Sequence, residues 1–225
     1  MCIVQELYDQ SDFCKYLSER GENLFDEKDI LRFLANIIII VHHLNSKEIY
    51  HRNLKPENFL IRTEKNGRIY LHLNNFGITK NTKTEEASII TPSVKIKGTI
   101  EYVAPEILNA SLAKHYNSKE DVWFIGVIAY QLCTLRLPFK AELPEGTMMA
   151  ILNNPHDPIP HKVYSDELKE IINRLLTKDP VQRPSIEELI EFPIIRNALH
   201  NLLEEFEDKI LLELKNSLNL KEIAV

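Results

Sequence analysis

The clearest periodicity in the first half of the chain runs over residues 26–45. Ile30, Phe33, Leu34, Ile37, Ile38, Val41 and Leu44 recur at helical spacing and predict one amphipathic helix. Asp26 stands where an N-cap belongs, and acidic residues in the first turn suit the helix dipole. The β-branched run 37–41 predicts a buried helix rather than a solvent-facing one. Before it, a short apolar strand at the N-terminus leads through a polar turn into a helical pattern with Phe13, Tyr16 and Leu17 on one side. After it, residues 59–61 and 69–73 read as two short strands joined by a turn through Asn66-Gly67. Residues 81–97 are rich in Thr, Ser, Lys and Glu without a period, which predicts a loop. Residues 121–130 are apolar nearly all round, as a fully buried helix requires. Residues 165–176 form a capped amphipathic pattern with Leu168, Ile171, Ile172, Leu175 and Leu176 inward, and 185–191 a shorter one. Beyond Arg196, the positions Leu199, Leu203, Phe206, Ile210, Leu214 and Leu218 mark one helical face, with an acidic stretch at 204–208.

At 225 residues the chain has room for one large domain or two small ones. Its 44% hydrophobic and 27% charged residues predict a globular protein with a substantial core. A net charge of -6 argues against nucleic acid or an anionic membrane as the main partner. Cys2, Cys14 and Cys133 lie far apart without metal-ligand spacing, so free thiols in a reducing compartment are expected. His42 and His43 are adjacent, point to different helix faces and make no metal pair. No basic segment with an apolar core opens the chain, and the runs 37–41 and 122–130 are too short to span a bilayer. A cytoplasmic or nuclear protein is the expectation.

The candidate chemistry begins at His51-Arg52-Asn53-Leu54-Lys55-Pro56-Glu57-Asn58. This octad resembles the catalytic loop of eukaryotic protein kinases of the Ser/Thr branch, His-Arg-Asp-x-Lys-x-x-Asn. Asn53 stands where the family has the aspartate that accepts the proton of the substrate hydroxyl. An amide has no basic site near neutral pH and cannot take that proton. Asn74-Asn75-Phe76-Gly77 resembles the Asp-Phe-Gly motif, again with an amide where a carboxylate holds Mg²⁺. Residues 98–106, Gly-Thr-Ile-Glu-Tyr-Val-Ala-Pro-Glu, resemble the end of a Ser/Thr kinase activation segment.

The resemblance implies roles residue by residue. Lys55 would reach the γ-phosphate of ATP, and Asn58 and Asn75 would be the degenerate metal ligands. Glu6 and Tyr8 would meet adenine through backbone groups, Asp12 would meet ribose, and Leu60 would floor the adenine pocket. His51, Arg52, Phe76, Gly77 and Thr99 would hold the loops in shape. Asp121 would anchor the catalytic loop, and Glu106 would pair with Arg183. The hydroxyls of Thr84, Ser88, Thr91, Ser93 and Thr99 fall in the activation-segment-like stretch, where a regulatory phosphosite is one reading and an ordinary polar loop the other.

The expected fold is therefore mainly α with small β hairpins, the C-terminal large lobe of a protein-kinase-like fold over residues 1–195. A helical tail follows at 196–225. No Gly-rich loop, no Val-Ala-Ile-Lys strand and no partner glutamate helix precede the hinge-like stretch, so the small lobe is expected to be largely absent. The expected function is a pseudokinase-like binding or scaffold module without phosphoryl transfer. The alternatives are a Ser/Thr kinase with weak or partner-dependent activity and a truncated gene product. No cofactor is expected to bind tightly; ATP and Mg²⁺ would bind under the kinase alternative. With the hinge strand and Leu60 uncovered, the face around Ile3, Val4 and Leu60 is expected to receive another protein or a second copy, and neither nucleic acid nor membrane.

Overall fold

The structure is a computed structural model, and it describes residues 12–51, 53–64, 67–74, 80–81, 100–109, 119–160 and 162–205. Eight helices and four short strands are described: α1 (Phe13–Glu19), α2 (Glu27–Ser46), β1 (Ile49–Tyr50), β2 (Phe59–Thr63), β3 (Ile69–Leu73), β4 (Lys80–Asn81), α3 (Pro105–Leu108), α4 (Lys119–Thr134), α5 (Pro144–Asn153), α6 (Asp166–Leu175), α7 (Ile186–Ile190) and α8 (Pro193–Glu204). The mainly helical expectation with small hairpins holds.

α4 is the centre of the core. From Glu120 to Tyr130 every residue is buried, and the helix packs against α2 on one side and α6 on another. Gly126 makes the α4–α6 approach possible, because a Cβ there would lie 2.8 Å from the Leu175 Cβ. α2 buries Ile30, Phe33, Leu34, Ile37, Ile38, Val41 and Leu44, the residues its periodicity selected. Its β-branched run is tolerated because packing on α4 and α8 outweighs weak helix propensity. α6 starts at Ser165, whose hydroxyl caps the Leu168 N–H and itself donates to Glu27 at 2.7 Å. α7 has a reciprocal Ser185–Glu188 capping box, whereas at α6 the Ser165 N–H donates to Glu27 of α2 at 2.6 Å.

Two expectations about helix ends need correction. Asp26 occupies the N-cap of α2, but its side chain makes no cap hydrogen bond. α8 begins at Pro193 rather than Arg196, since proline suits the first helical turn. The helix runs across position 195, and its Ile195, Ala198, Leu199, Leu202 and Leu203 are buried. α8 lies along α2 as part of the same core. The remainder of the expected tail, 206–225, lies outside the described residues.

Two antiparallel ribbons flank the helices. β2 pairs with β3 from Phe59↔Leu73 to Thr63↔Ile69, and Gly67 turns between them at φ +80. β1 pairs with β4, Ile49 opposite Asn81. Glu48, at φ 58, reverses the chain after α2 and feeds it into β1 and the loop beyond. Among the described residues no helix is long and apolar enough to cross a membrane.

Candidate functional site

The loop that follows β1 is anchored from beneath by α4. The His51 backbone N–H donates to Asp121 Oδ2 at 3.0 Å, and both residues are fully buried. The His51 ring meets the Asn74 carbonyl through Nε2 at 3.3 Å. A carbonyl only accepts, so Nε2 carries the proton in this contact. Burial lowers the His51 pKa, partly opposed by the same Asn74 carbonyl, so the ring is neutral and structural.

Asn53 and Asn58 face each other across one turn. Asn58 is buried, and its Nδ2 donates to the Asn53 carbonyl at 2.6 Å. The turn is closed by Asn58 N–H to the Lys55 carbonyl at 2.9 Å. The Asn58 carbonyl in turn accepts from the Asn74 N–H at 2.8 Å, which ties β3 to the loop. Leu54 is buried beneath, while Asn53 and Lys55 are half-buried. Glu57, Asp12 and Lys55 all act electrostatically on the Cys14 thiol. Burial pushes that thiol up, Glu57 and Asp12 add to the shift, and Lys55 opposes it. The thiol is therefore a poor nucleophile despite its position beside the loop.

Asp12 and Leu60 form an isolated antiparallel bridge, so the two residues expected at ribose and under adenine stand side by side. Asp12 also caps α1, accepting the Lys15 N–H at 2.8 Å. Tyr102, within residues 98–106, is buried and donates its hydroxyl to Gln131 at 2.8 Å, which fastens the turn at Ile100–Tyr102 to α4. Burial, with Glu57 second, pushes its phenol pKa far up. Glu106 and Arg183 meet as expected, with Nη1 to Oε1 at 2.8 Å and Nη2 to Oε2 at 2.9 Å, both side chains buried.

Glu6, Tyr8, Arg52, Asn75, Phe76, Gly77 and Thr99 lie outside the described residues, as do Ile3, Val4 and the hydroxyls at 84–93. Sequence reasoning missed Asn36, Lys119 and Lys178. Asn36 Oδ1 accepts from the Leu71 N–H at 3.5 Å, joining α2 to β3. Lys119 Nζ donates to the Arg183 carbonyl. Lys178 Nζ lies 3.5 Å from the Phe139 ring centroid and donates to the Ile151 carbonyl at 2.5 Å. A polar residue inside an apolar period was the signal at Asn36; the two lysines carried none.

The donor set does not fit Mg²⁺. That ion is small, hard and drawn to anionic oxygen. Asn58 offers at most an amide oxygen, and the sequence has an amide at Asn75 too. What the described loop can do is position a hydroxyl or a phosphate through Asn53, Lys55 and Asn58. The Asn53 amide itself offers no carboxylate to remove a proton.

Residues 1–195 match the family described as Protein kinase domain. The chain is 32% identical over 222 residues to "Probable serine/threonine-protein kinase nek3" of Dictyostelium discoideum, covering 97% of this chain and 19% of that protein. It is 32% identical over 203 residues to "Serine/threonine-protein kinase Nek5" of Homo sapiens, covering 89% and 27%. To "Putative serine/threonine-protein kinase A" of Trypanosoma brucei brucei it is 28% identical over 202 residues, covering 88% and 44%. The chain thus spans less than half the length of each of these relatives.

Proposed function

The chain belongs to the protein kinase domain family, and we propose that it is a pseudokinase-like binding or scaffold module that transfers no phosphate. The described residues correspond, in this reading, to the helical large lobe of that domain. Asn53 carries the proposal. It stands at the general-base position of a loop whose supports, Asp121 to His51 and Asn58 to Asn53, are intact. General-base catalysis contributes about 10²–10⁴-fold, and electrostatic stabilisation around the phosphates is usually the larger contribution. Amides at Asn53 and Asn75 remove the groups that supply both. ATP and Mg²⁺ bind weakly or not at all in this reading. Its working surface is the face that includes Leu60, where another protein or a second copy docks, in the cytoplasm or nucleus.

A second reading is a Ser/Thr kinase with weak or partner-dependent activity. It is favoured by Lys55 and Asn58, which keep their places, and by relatives that are named serine/threonine-protein kinases. Incubation with labelled ATP, Mg²⁺ or Mn²⁺ and generic Ser/Thr substrates separates the two. The first reading expects no incorporation above a heat-killed control. Incorporation that Lys55→Ala abolishes overturns it.

A further inference from the structure

Glu205, which closes α8, has a carboxylate where three elements meet. Arg32 of α2 donates from Nη1 to Oε1 at 3.2 Å and places Nη2 2.8 Å from Oε2. Tyr70 of β3 donates its hydroxyl to Oε2 at 3.4 Å. Arg68, just before β3, puts Nη1 3.8 Å from the same oxygen. The Arg32 guanidinium also lies 5.2 Å from the centroid of the Tyr70 ring. The Arg32 and Glu205 side chains are only 23% and 22% exposed, so solvent and salt screen this pair less than an open surface pair.

Both elements held by Glu205 lead into the candidate site. α2 passes through the Glu48 reversal and β1 to His51. β3 runs from Ile69 to Leu73 and delivers Asn74, whose N–H and carbonyl hold Asn58 and His51. Asn36 makes a parallel tie within the same region. Its Nδ2 donates to the Arg32 carbonyl at 2.9 Å while its Oδ1 accepts from Leu71. A buried amide on an apolar helix is stabilising only when both ends are satisfied, and here its two partners are the latch helix and the latch strand.

We propose that Arg32, Tyr70 and Glu205 form a latch that couples the C-terminal end of α8 to the candidate site. With the latch closed, the end of α8, α2 and β3 move as one unit, and Asn74 is held against His51 and Asn58. With it open, β3 loses its hold on Arg32 and on the end of α8, while its pairing to β2, the Asn36 tie and the Asn74 bonds to Asn58 and His51 remain to oppose a shift of that limb. A force or contact acting on the chain after Glu205 therefore reaches the site, and a ligand that fixes Asn74 tightens the last turn of α8 by the same coupling. The inference goes beyond the functional reading above and holds whether or not the site transfers phosphate.

Hydrogen exchange on the full chain tests it, with Glu205→Gln compared to the unaltered protein. Hydrogen bonds to charged groups are strong enough that opening the latch is expected to speed exchange in 69–74 and 49–51 about tenfold or more. Exchange in α4 and α6 is expected to stay unchanged, which separates release of the latch from general destabilisation. A change confined to 200–205, or an equal rise across α4 and α6, overturns the proposal. Tyr70→Phe is the second variant, since it keeps the ring under Arg32 and removes only the hydroxyl. It is expected to give the same regional pattern at smaller amplitude, and unchanged or uniform exchange there also overturns the coupling.

Discussion

Replacing Glu106 by Gln should cost this fold more than any other single change that leaves side-chain shape intact. Arg183 donates to both Glu106 oxygens at 2.8 and 2.9 Å, and also to the carbonyls of Lys119 at 2.7 Å and Thr177 at 3.0 Å. Its guanidinium lies 5.0 Å from the Trp123 ring centroid, and neither charged side chain has exposed surface. Glu106→Gln removes the counter-charge and turns one acceptor into an amide NH₂ that faces a guanidinium N–H. Leaving a buried charge without its partner costs about 3–5 kcal/mol. Against a total stability of about 5–15 kcal/mol, that is a large share. With a urea slope of roughly 2–3 kcal/mol/M, the unfolding midpoint should fall by about 1–2 M. The double variant Glu106→Leu/Arg183→Met removes both charges and should recover most of the loss, because a buried pair contributes little beyond an apolar substitute. A Glu106→Gln midpoint within about 0.3 M of the unaltered protein would refute the reasoning, as would a double variant that is worse than the single one.

Gly126→Ala should destabilise by about 1–3 kcal/mol through overpacking, since its Cβ would meet Leu175 backbone and side chain at 3.1 and 2.8 Å; a thermal or urea melt reads this, and no change would mean that α6 moves away freely. Asp121→Ala strands the buried His51 N–H and should cost about 1–3 kcal/mol, with faster hydrogen exchange at 49–51 as its local mark. Lys178 has its pKa lowered to about 8, by burial first and Arg183 second. Below that pH the amine is protonated in both folded and unfolded chains; above it the folded form has released a proton that the unfolded form keeps, so stability rises with pH. Burial raises the Cys133 thiol to about 12, so the unfolded thiol loses its proton first and works in the opposite direction from near pH 9 upward. The readout is therefore the difference between the unaltered protein and Lys178→Met from pH 7.5 to 9. The unaltered protein should gain relative to the variant by up to about 1.4 kcal/mol per pH unit, and parallel curves would contradict the assignment.

The apolar skeleton was legible in the sequence because it follows one rule. The positions chosen on α2 by helical spacing are all buried, and residues 121–130 of α4 are buried on every side, as an apolar run without a polar face requires. The strand pair and its glycine turn were legible for a similar local reason. Asp26 misled because a good capping residue at the right place still needs a rotamer that reaches the N–H groups. The apolar spacing beyond Arg196 marked the face of α8 but not its start, which Pro193 provides in the first turn. Asp12 meets Leu60 and Asn58 meets Asn53, and choosing those residues took the motif rather than any period. Lys178 and the Arg32–Tyr70–Glu205 cluster were invisible. Their partners are backbone carbonyls, rings and charges far away in sequence, and only the closed fold brings them within reach.

In the proposed reading, the polar groups that hold this fold and those that a kinase uses for chemistry are separate sets, and the chain keeps the first while differing in the second. Asp121 grips His51 and Glu106 grips Arg183 without involving Asn53. The Asn58 bond to the Asn53 carbonyl is a main-chain contact, so an amide or a carboxylate at the Asn53 side chain leaves it in place. Losing a catalytic carboxylate therefore does not require losing the loop's geometry. Carboxylates arranged for catalysis commonly reduce stability, because like charges and desolvated groups are held together for function. Asp12 and Glu57 already stand near this loop, as their shared effect on Cys14 attests. A neutral residue at 53 spares the loop one more negative charge beside them. On that physical ground the amide at 53 is compatible with the proposed binding module, and the phosphoryl-transfer assay decides between that reading and a kinase.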